Sequence, residues 1–276
     1  MNGLPTLRDV VNQYGLMAKK SLGQNFLLDM NITEKIIRLS LEAQQKKDFS
    51  GENVYEIGPG PGGLTRAILQ ANPQCLTVIE MDSRCIQIMR DIRDLVGEQL
   101  QIVEGDALKY DYSAANQNAA HIISNLPYNI SVPLLTKWLK EIRLFKSLTL
   151  MFQKEVAERI GATSNNKVYG RISVLAQLVC KIKVLMNVNP NCFTPAPKIW
   201  STVLLLQPLE NIPETSILQK VEKITELAFG QRRKMIRQSL KSIPNIEQIC
   251  QELQIDTSLR AENLTPQQYL QIAQKI

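Results

Sequence analysis

Acidic, amide and glycine residues follow four successive apolar runs of the chain, and these side chains are the ones that could carry out chemistry. They are Glu56, Gly58, Gly60, Glu80, Asp106 and Asn125. In an open α/β sheet, ligands bind outside the carboxyl ends of the strands. If the four runs are neighbouring parallel strands, the sequence predicts that these residues converge on one ligand.

The glycine loop at 58–63 is compatible with two classes of ligand. Gly58, Gly60 and Gly63 match the G-x-G-x-x-G pattern, and Glu80 lies 22 residues after Gly58. That spacing is close to the roughly 20 residues expected for an acid that binds the ribose of a dinucleotide. A Rossmann-type NAD-dependent oxidoreductase is therefore one candidate. The glycines indicate a close approach of backbone to ligand, but they do not identify the ligand.

Glu56 favours a cationic ligand over a dinucleotide. It lies two residues before the first glycine of the loop. A carboxylate there would repel a pyrophosphate and would attract a positively charged group. S-adenosylmethionine carries a sulfonium and an ammonium, and its ribose and adenine suit Glu80 and Asp106. The alternative is that Glu56 is an acid at the surface end of its strand.

The segment "SNLPYNI" at 124–130 has the groups needed to hold a nucleobase amine. Asn125 offers a carbonyl oxygen, and Pro127 biases Leu126 toward extended backbone, which directs a second acceptor. Tyr128 offers a ring on which a base can stack, worth ~1–3 kcal/mol. Positioning of this kind could supply most of the catalysis of a methyl transfer. The alternative is that Asn125 caps the following helix and Tyr128 packs under it.

Composition limits the class of protein. The chain has 276 residues, 44% of them hydrophobic, which suits one large domain or one large and one small domain. No apolar stretch approaches the ~18 residues of a membrane span, and the N-terminus lacks the pattern of a secretory signal. The five cysteines form no C-x-x-C pair, so we expect reduced thiols and a cytoplasmic location. The single histidine, His121, lies in an apolar run, so we also expect no metal site. The net charge of +6 is compatible with an anionic partner.

Apolar runs of strand length alternate with helical patterns. The runs lie at 53–57, 75–80, 100–104, 121–124, 147–152, 181–188 and 201–207, and the clearest helical patterns at 64–71, 84–95 and 131–142. This alternation predicts an α/β fold with a mostly parallel sheet covered by helices. The last two runs have no long helix between them, which predicts an antiparallel edge. Pro208 and Pro213 mark a linker, so the predicted domains are 1–208 and a helical domain at 209–276.

A set of longer sequence blocks resembles one known family over nearly the whole chain. The blocks are "KKSLGQNFLLD" (19–29), "EIGPGPGGLT" (56–65), "VIEMD" (78–82), "GDAL" (105–108), "NLPYNIS" (125–131), "QKEVAERI" (153–160), "YGRISVLAQ" (169–177), "CFTPAPK" (192–198), "AFGQRRKMIRQSL" (228–240) and "RAENLTPQQYLQIA" (260–273). In this order they are similar to the small-subunit (16S) ribosomal RNA adenine dimethyltransferases. The resemblance implies a Rossmann-like class I methyltransferase sheet with a small C-terminal helical domain.

The resemblance also implies an activity. S-adenosyl-L-methionine would donate methyl groups to N6 of two adjacent adenosines in the 3′-terminal hairpin of 16S rRNA. The products would be N6,N6-dimethyladenosines, made during biogenesis of the small ribosomal subunit. The partner would be that subunit and its rRNA, with no membrane and no metal, and we expect the protein to be a monomer.

The resemblance assigns roles to individual residues of this chain. Asn25, Leu27, Gly58, Glu80 and Asp106 would surround the cofactor, Asn125 would link it to the target amine, and Phe193 would stack on the adenine opposite Tyr128. One position departs from the family's pattern. Many relatives carry a small or acidic residue where this chain has Trp200.

A basic segment at 231–241 is the predicted RNA surface of the helical domain. Its cations are Arg232, Arg233, Lys234, Arg237 and Lys241. On a continuous helix, the cations at 233, 237 and 241 would share one stripe, and Ile236, Leu240 and Ile243 would form the opposing apolar stripe. Lys19, Lys20, Lys167 and Arg171 could extend the basic surface. The alternative is that this stripe is a solvated face with no partner.

Three other functions stay open from the sequence. The first is a related adenine methyltransferase acting on large-subunit RNA, of the antibiotic-resistance type. The second is the NAD-dependent oxidoreductase, and the third is an RNA-binding assembly factor that has lost catalysis. The blocks at 193–198 and 260–265 favour the small-subunit type, and the intact block at 125–128 argues against loss of catalysis.

Overall fold

A computed structural model of the chain describes residues 4–16, 24–115 and 119–276. Lys19 and Lys20, which the sequence suggested as part of a basic surface, lie outside the described residues. The chain divides into two compact units. The first comprises Met1–Lys137, Arg143–Lys154 and Lys183–Gln207, and the second comprises Trp138–Ile142, Glu155–Ile182 and Pro208–Ile276.

Seven strands that match the apolar runs of the sequence form one sheet, and two short strands that the sequence did not predict form a second sheet. They are β1 (Phe26–Leu27), β2 (Asn53–Ile57), β3 (Cys75–Glu80), β4 (Leu100–Glu104), β5 (Ala120–Asn125), β6 (Phe145–Gln153), β7 (Cys180–Val188), β8 (Phe193–Thr194) and β9 (Ser201–Pro208). The large sheet has the order β4-β3-β2-β5-β6-β9-β7, and β1 pairs with β8. The runs predicted for β2, β3 and β4 have the observed bounds.

The large sheet is mostly parallel. β2 pairs in parallel with β3 and β5, β3 with β4, and β5 with β6, whereas β9 lies antiparallel to β6. β7 forms the edge beside β9. The predicted α/β architecture with antiparallel pairing near one edge is therefore confirmed.

Twelve α-helices are found in the described part of the chain. They are α1 (Leu7–Gln13), α2 (Met30–Ala43), α3 (Gly63–Gln70), α4 (Ser83–Val96), α5 (Tyr112–Ala115), α6 (Ser131–Lys140), α7 (Lys154–Gly161), α8 (Arg171–Val179), α9 (Thr215–Gly230), α10 (Ile236–Ser239), α11 (Ile246–Glu252) and α12 (Pro266–Lys275). Local sequence starts several of them. Asp82 caps α4 by accepting from the Arg84 N–H, and Thr265 and Gln268 form a capping box on α12. Among the described residues, no helix is long and apolar enough to cross a membrane.

The second unit is helical and includes more of the chain than the predicted domain. It resumes at Pro208, where the sequence placed the linker, but it also contains residues 155–182. Residues 155–182 belong to this unit because α8, which lies within them, packs against both α9 and α12. The Phe229 ring also lies between the rings of Tyr169 and Tyr269, at centroid distances of 5.9 Å and 6.0 Å.

The continuous helix predicted over 231–241 is wrong. Residues 231–234 form a turn, and α10 covers only Ile236–Ser239. The Ile236 N–H donates to the Leu259 carbonyl at 2.7 Å, and the Arg237 N–H donates to the Thr257 carbonyl at 3.2 Å. These donors are therefore not available to the carbonyls four residues before them, as a continuous helix would require. The apolar part of the prediction holds, since Ile236, Leu240 and Ile243 are buried.

His121 lies in a buried polar cluster of the first unit. Its ring nitrogens lie 2.8 Å from the Ser147 hydroxyl and 3.1 Å from a Glu52 carboxylate oxygen. Lys46 and Lys146 each lie 2.8 Å from the same carboxylate and lower the pKa of Glu52 to about 2, against the effect of its burial. Burial lowers the pKa of His121 to about 4, although the Glu52 carboxylate acts in the opposite direction. The imidazole is thus neutral at neutral pH and packs against the Phe49 ring at a centroid distance of 5.0 Å.

We expect His121 to make the folded protein less stable as the pH falls from about 6.5 to about 4. Its pKa is lowered from 6.5 in the folded state. In this window the unfolded chain binds a proton that the folded chain does not, so the free energy of unfolding decreases as the pH decreases. The loss attributable to this residue is at most ~3 kcal/mol. Urea unfolding at pH 7 and pH 4.5 measures it.

The matched control is His121→Gln, which keeps hydrogen-bonding groups and removes the only histidine of the chain. The variant should be less stable than the parent at pH 7 but should lose less stability on acidification. All other titrating groups are common to the two proteins, so the difference isolates His121. Equal losses in parent and variant would show that folding does not lower the pKa of His121.

Candidate active site

A cleft opens at the carboxyl edge of the parallel strands, in the first unit. Its lining consists of Gln24, Asn25, Phe26, Ile57, Gly58, Gly60, Ile79, Glu80, Met81, Gly105, Asp106, Ala107, Asn125, Leu126, Pro127, Tyr128, Asn129 and Ile130. Most of the polar members come from the ends of β2, β3, β4 and β5, which lie side by side, and Gln24 and Asn25 come from the segment before β1. The structure therefore brings together Gly58, Gly60, Glu80, Asp106 and Asn125, as the order of the strand ends predicted.

The loop after β2 forms the floor of the cleft with backbone rather than side chains. Gly58 and Gly60 have φ values of +67° and +56°, which residues with a Cβ rarely adopt. A Cβ on Gly60 would lie 3.1 Å from the Phe26 ring. The Gly58 N–H donates to the Ile79 carbonyl at 2.9 Å, which ties the loop to β3. Glycine is thus required both by the conformation and by the close approach of neighbouring groups.

Glu80 ends β3 with its carboxylate fixed in place. The N–H groups of Met81 and Asp82 both donate to Oε1, at 2.7 Å and 2.9 Å. The side chain is buried, and burial raises the pKa of Glu80, while the hydrogen bonds from Asp82 and Met81 counteract that effect. An oriented carboxylate at a strand end is suited to accept hydrogen bonds from the hydroxyls of a ribose.

Asp106 and Asn25 line other parts of the cleft. One oxygen of Asp106 accepts from the Leu108 N–H at 2.9 Å, so the carboxylate is held by its own turn. Asp106 comes directly after Gly105, whose N–H donates to the Glu80 carbonyl at 2.9 Å. The Asn25 carbonyl accepts a hydrogen bond from the Asn125 amide at 3.3 Å. This contact connects the segment before β1 to the last residue of β5.

The turn at 125–130 leaves the sheet directly into the cleft. Asn125 is the last residue of β5 and pairs with Met151 of β6. Since its Nδ2 donates to the Asn25 carbonyl, its Oδ1 remains as an acceptor. The Ile130 N–H donates to the Pro127 carbonyl, and the Ser131 hydroxyl donates to the Tyr128 carbonyl. Within the described residues, no loop or turn hydrogen bond ends on the Leu126 carbonyl, which is a second free acceptor beside Asn125.

Tyr128 is anchored at its hydroxyl, not at its ring. The hydroxyl lies 2.6 Å from the Ser201 hydroxyl at the start of β9, and burial raises the pKa of Tyr128. The ring lines the cleft. An aromatic residue that lines a cleft and is held by its hydroxyl is suited to stacking on a planar ligand.

Three residues assigned to the site do not line the cleft. Leu27 and Phe193 are buried in the core, where they pair across β1 and β8. Phe193 is 4% exposed, so in this conformation it cannot stack on a base opposite Tyr128. Glu56 is also buried, and the Thr65 hydroxyl donates to its carboxylate at 2.6 Å. Two-residue strands give almost no sequence signal, which explains why the pairing of Leu27 and Phe193 was not foreseen.

Burial changes the expected charge of Glu56. It raises the pKa of Glu56 to about 8, and the nearby Glu80 adds to the effect while the Thr65 hydroxyl opposes it. The carboxyl is therefore largely protonated at neutral pH when no cation is near. The sequence led us to expect a permanent negative charge facing the loop, and this is wrong. Glu56 is a buried acid that a nearby cationic ligand would ionise.

Several lining residues were not identified from the sequence. Met81 follows Glu80 and has 60% of its surface exposed, although it is apolar. Ile79, Ala107 and Ile130 add apolar walls. The available signal was an apolar residue between two acids in "VIEMD". An exposed thioether beside a carboxylate suits the face of an adenine whose ribose the carboxylate holds.

The groups in the cleft fit S-adenosylmethionine better than a dinucleotide. Glu80 and Asp106 are acceptors, and neither forms an ion pair with a lysine or arginine among the described residues. Hydroxyl and amine donors satisfy such acceptors, whereas a pyrophosphate needs donors and cations. The described residues also contain no group of side chains that could hold a metal ion.

The basic segment of the second unit presents four exposed cations. They are Arg233, Lys234, Arg237 and Lys241. Arg232 is different, because its guanidinium contacts the Glu262 carboxylate and donates to the Lys167 carbonyl. Arg171, suggested as an extension of this surface, lies 3.7 Å from Glu226. Arg232 therefore has a structural contact, while the other four remain available to an anionic partner.

Comparisons with known proteins agree on one family. The profile of the family described as "Ribosomal RNA adenine dimethylase" matches residues 15–276. "Ribosomal RNA small subunit methyltransferase A" of Sinorhizobium medicae is 45% identical over 276 residues, covering 99% of this chain and 98% of that protein. The protein of the same name from Rhodospirillum rubrum is 42% identical over 275 residues, covering 100% of this chain and 93% of that protein.

Two solved structures resemble the fold. A dimethyladenosine transferase from Plasmodium falciparum has a TM-score of 0.72 and 27% identity, covering 88% of this chain and 94% of that one. The 23S rRNA methyltransferase ErmE has a TM-score of 0.65 and 22% identity, covering 91% of this chain and 99% of that one. At the latter identity the likeness shows the fold alone.

Proposed function

Because the chain belongs to the ribosomal RNA adenine dimethylase family, we propose that it transfers methyl groups from S-adenosylmethionine to N6 of two adjacent adenosines in the 3′-terminal hairpin of small-subunit rRNA. The chain is an rRNA adenine dimethyltransferase, and its curated relatives at 42% and 45% identity carry the small-subunit name. The observation that carries the proposal is the Asn125–Tyr128 turn, which presents two acceptors and a ring in the cleft that Glu80 and Asp106 also line.

The chain's own residues would hold the cofactor in separate parts of the cleft. Glu80 would accept from the ribose hydroxyls of the cofactor and Asp106 from its adenine edge, and both residues line the cleft together with Gly58 and Gly60. When bound, S-adenosylmethionine supplies the electrophilic methyl group. Asn25 fixes the Asn125 amide, so that the position of the acceptor relative to this site does not depend on the RNA.

The turn then orients the target amine. The exocyclic amine of adenine is a poor nucleophile, because its lone pair is delocalised into the ring. Asn125 Oδ1 and the Leu126 carbonyl accept its two N–H groups, which directs the lone pair toward the methyl group. The Tyr128 ring stacks on the base and holds its plane. Positioning of this kind accounts for most of the rate enhancement we expect.

No side-chain base is needed for this reaction. The described lining of the cleft contains no histidine and no lysine, and the single histidine lies in the Glu52 cluster. After transfer, the methylated ammonium releases its proton to water. Each adenosine requires two transfers, and the second needs only one N–H acceptor, which the same turn provides.

The other candidate functions have less support. An NAD-dependent oxidoreductase would need donors for a pyrophosphate, and the acids of this cleft oppose one. The large-subunit type rests on a likeness of fold at 22% identity, against full-length relatives of the small-subunit type. The monomeric state and the cytoplasmic location remain predictions from the sequence.

The deciding experiment is methyl transfer to ribosomal particles. The purified chain is incubated with labelled S-adenosylmethionine and under-methylated small subunits, with large subunits as the matched substrate control, and the modified bases are mapped. We expect dimethylation of two adjacent adenosines in the small-subunit RNA only. Label confined to large-subunit RNA would establish the antibiotic-resistance type of activity, and absence of label from both would refute the proposal.

The exposed cations of the second unit are expected to bind RNA phosphates. The triple change Arg233→Gln, Arg237→Gln and Lys241→Gln should weaken binding to small subunits and reduce its salt dependence. Each lost phosphate contact lowers the slope of log affinity against log salt by ~0.7–0.9. Affinity for the cofactor should not change, because the residues that line the cleft belong to the first unit. Filter binding at several salt concentrations measures the slope.

Arg232→Gln is the matched control for this surface. It removes one cation from the same segment, but the guanidinium contacts Glu262 and the Lys167 carbonyl. The control should lower the melting temperature and leave the salt slope nearly unchanged. The opposite pattern, with a reduced slope for Arg232→Gln alone, would mean that RNA displaces the Glu262 contact and that the surface was assigned to the wrong arginines.

A further inference from the structure

The two tryptophans of the chain differ sharply in burial. Trp138 has 0% of its surface exposed, whereas Trp200 has 46% exposed and its neighbour Ile199 has 37% exposed. Single exposed apolar residues are common on proteins and require no explanation by themselves. The position of Trp200 relative to the cleft is what gives its exposure significance.

Trp200 lies at the same edge of the sheet as the Asn125 turn. In the antiparallel pair of β6 and β9, Gln153 is opposite Ser201, and the Lys154 N–H donates to the Trp200 carbonyl at 2.9 Å. Asn125 pairs with Met151 of the same β6. Met151 pairs in turn with Val203 of β9, so Val203 is two strands from Asn125, roughly 9–10 Å across the sheet. Trp200 comes three residues before Val203, on the side of the carboxyl ends of the parallel strands.

A hydrogen bond connects the Trp200 segment to the stacking ring of the cleft. Ser201, the next residue, lies with its hydroxyl 2.6 Å from the hydroxyl of Tyr128. Thus Ser201, at the start of β9, anchors the hydroxyl of Tyr128, and the residue before it, Trp200, has an exposed indole. Lys198, also exposed, adds a cation to the same short stretch.

We propose that Trp200 stacks on the base of the nucleotide adjacent to the adenosine held in the cleft, with Lys198 against the RNA backbone. The inference rests on the proposed function and adds a substrate-binding residue to it. Unpaired RNA is recognised mainly by stacking of splayed bases on aromatic side chains and by cations along the backbone. In the proposed function the Asn125 turn holds one base, so the adjacent adenosine must bind elsewhere at this edge of the sheet, where Trp200 is exposed. A stacked neighbour would fix the register of the strand.

Fluorescence gives a test that does not depend on catalysis. A short single-stranded RNA with two adjacent adenosines is titrated into the parent and into Trp200→Phe, in which Trp138 is the only tryptophan left. Stacking of a base on the indole should quench emission in the parent and leave the variant nearly unchanged. Equal quenching in the two proteins, or none in the parent although filter binding shows the RNA bound, would overturn the proposal.

Kinetics separate base stacking from a structural role. Trp200→Ala should raise KM for under-methylated small subunits by about 5- to 150-fold and leave kcat within about twofold. Trp200→Phe should recover most of the affinity, since a smaller ring still stacks. Leu95→Ala, an exposed apolar residue of α4 with 64% of its surface exposed, is the matched control and should leave both constants unchanged.

The outcomes distinguish this inference from the proposed function. A parent that methylates small subunits while Trp200→Ala keeps the parental KM refutes the stacking role alone. A fall in kcat with unchanged KM would mean that Trp200 acts by positioning Tyr128 through Ser201, which also refutes it. A parent that quenches with RNA but transfers no methyl group would refute the proposed function and support the stacking.

Discussion

Replacing Asn125 by alanine is expected to lower the rate of methyl transfer by ~10²–10³ and to leave the fold intact. The magnitude is that of removing one preorganised electrostatic partner from a reacting group. The amide is preorganised because β5 places it at the strand end opposite Met151, and because its Nδ2 is held by the Asn25 carbonyl. Single-turnover transfer to small subunits measures the rate, and thermal melting shows whether the fold survives.

Two further variants isolate the role of the acceptor. Asn129→Ala removes an exposed amide from the same turn that also lines the cleft but has no acceptor role in the proposed reaction, so it should cost far less than Asn125→Ala. Asn125→Asp keeps acceptor oxygens but places a carboxylate against the Asn25 carbonyl, so its activity should lie between those of the parent and the alanine variant. An Asn125→Ala protein with parental melting and parental rate would reduce this residue to a structural one.

The sheet and most of the cleft could be predicted because their determinants are local. β2, β3 and β4 are continuous apolar runs with a polar residue at the carboxyl end, and parallel pairing brings those ends together. Glu80, Asp106 and Asn125 are therefore placed in the cleft by strand order alone. The same reasoning does not say which way a side chain points on a strand that is covered on both faces. The burial of Glu56 against Thr65 of α3 was therefore not predicted.

The failures depend on contacts between distant segments. Phe193 is buried because β8 pairs with β1, about 165 residues earlier in the chain, and neither strand is long enough to show a pattern. The periodicity of Ile236, Leu240 and Ile243 correctly indicated buried positions. The helix around them is nevertheless short, because the carbonyls of Thr257 and Leu259 take N–H groups that a longer helix would use. Sequence pattern reports which residues are buried more reliably than which backbone partner each N–H finds.

Replacing Glu80 by alanine is expected to weaken binding of S-adenosylmethionine by ~1.5–3 kcal/mol, the range for a hydrogen bond to a charged group. The carboxylate is buried, and the N–H groups of Met81 and Asp82 hold Oε1, so its position is fixed before a ligand binds. Calorimetry on the purified chain measures the change. NAD should show no binding to either protein, since the acids of the cleft disfavour its pyrophosphate.

Glu104→Ala is the control that makes this result specific. Glu104 is opposite Glu80 in the parallel pair of β3 and β4, so it has the same charge at the same edge of the sheet, but it is exposed and does not line the cleft. If Glu80 acts by contact with the ribose, Glu104→Ala should bind S-adenosylmethionine as the parent does. Equal weakening in the two variants would instead mean that Glu80 contributes only to the negative electrostatic potential at this edge of the sheet. Micromolar binding of NAD without binding of S-adenosylmethionine would remove the cofactor assignment altogether, because the same carboxylate can then only be the ribose ligand of a dinucleotide.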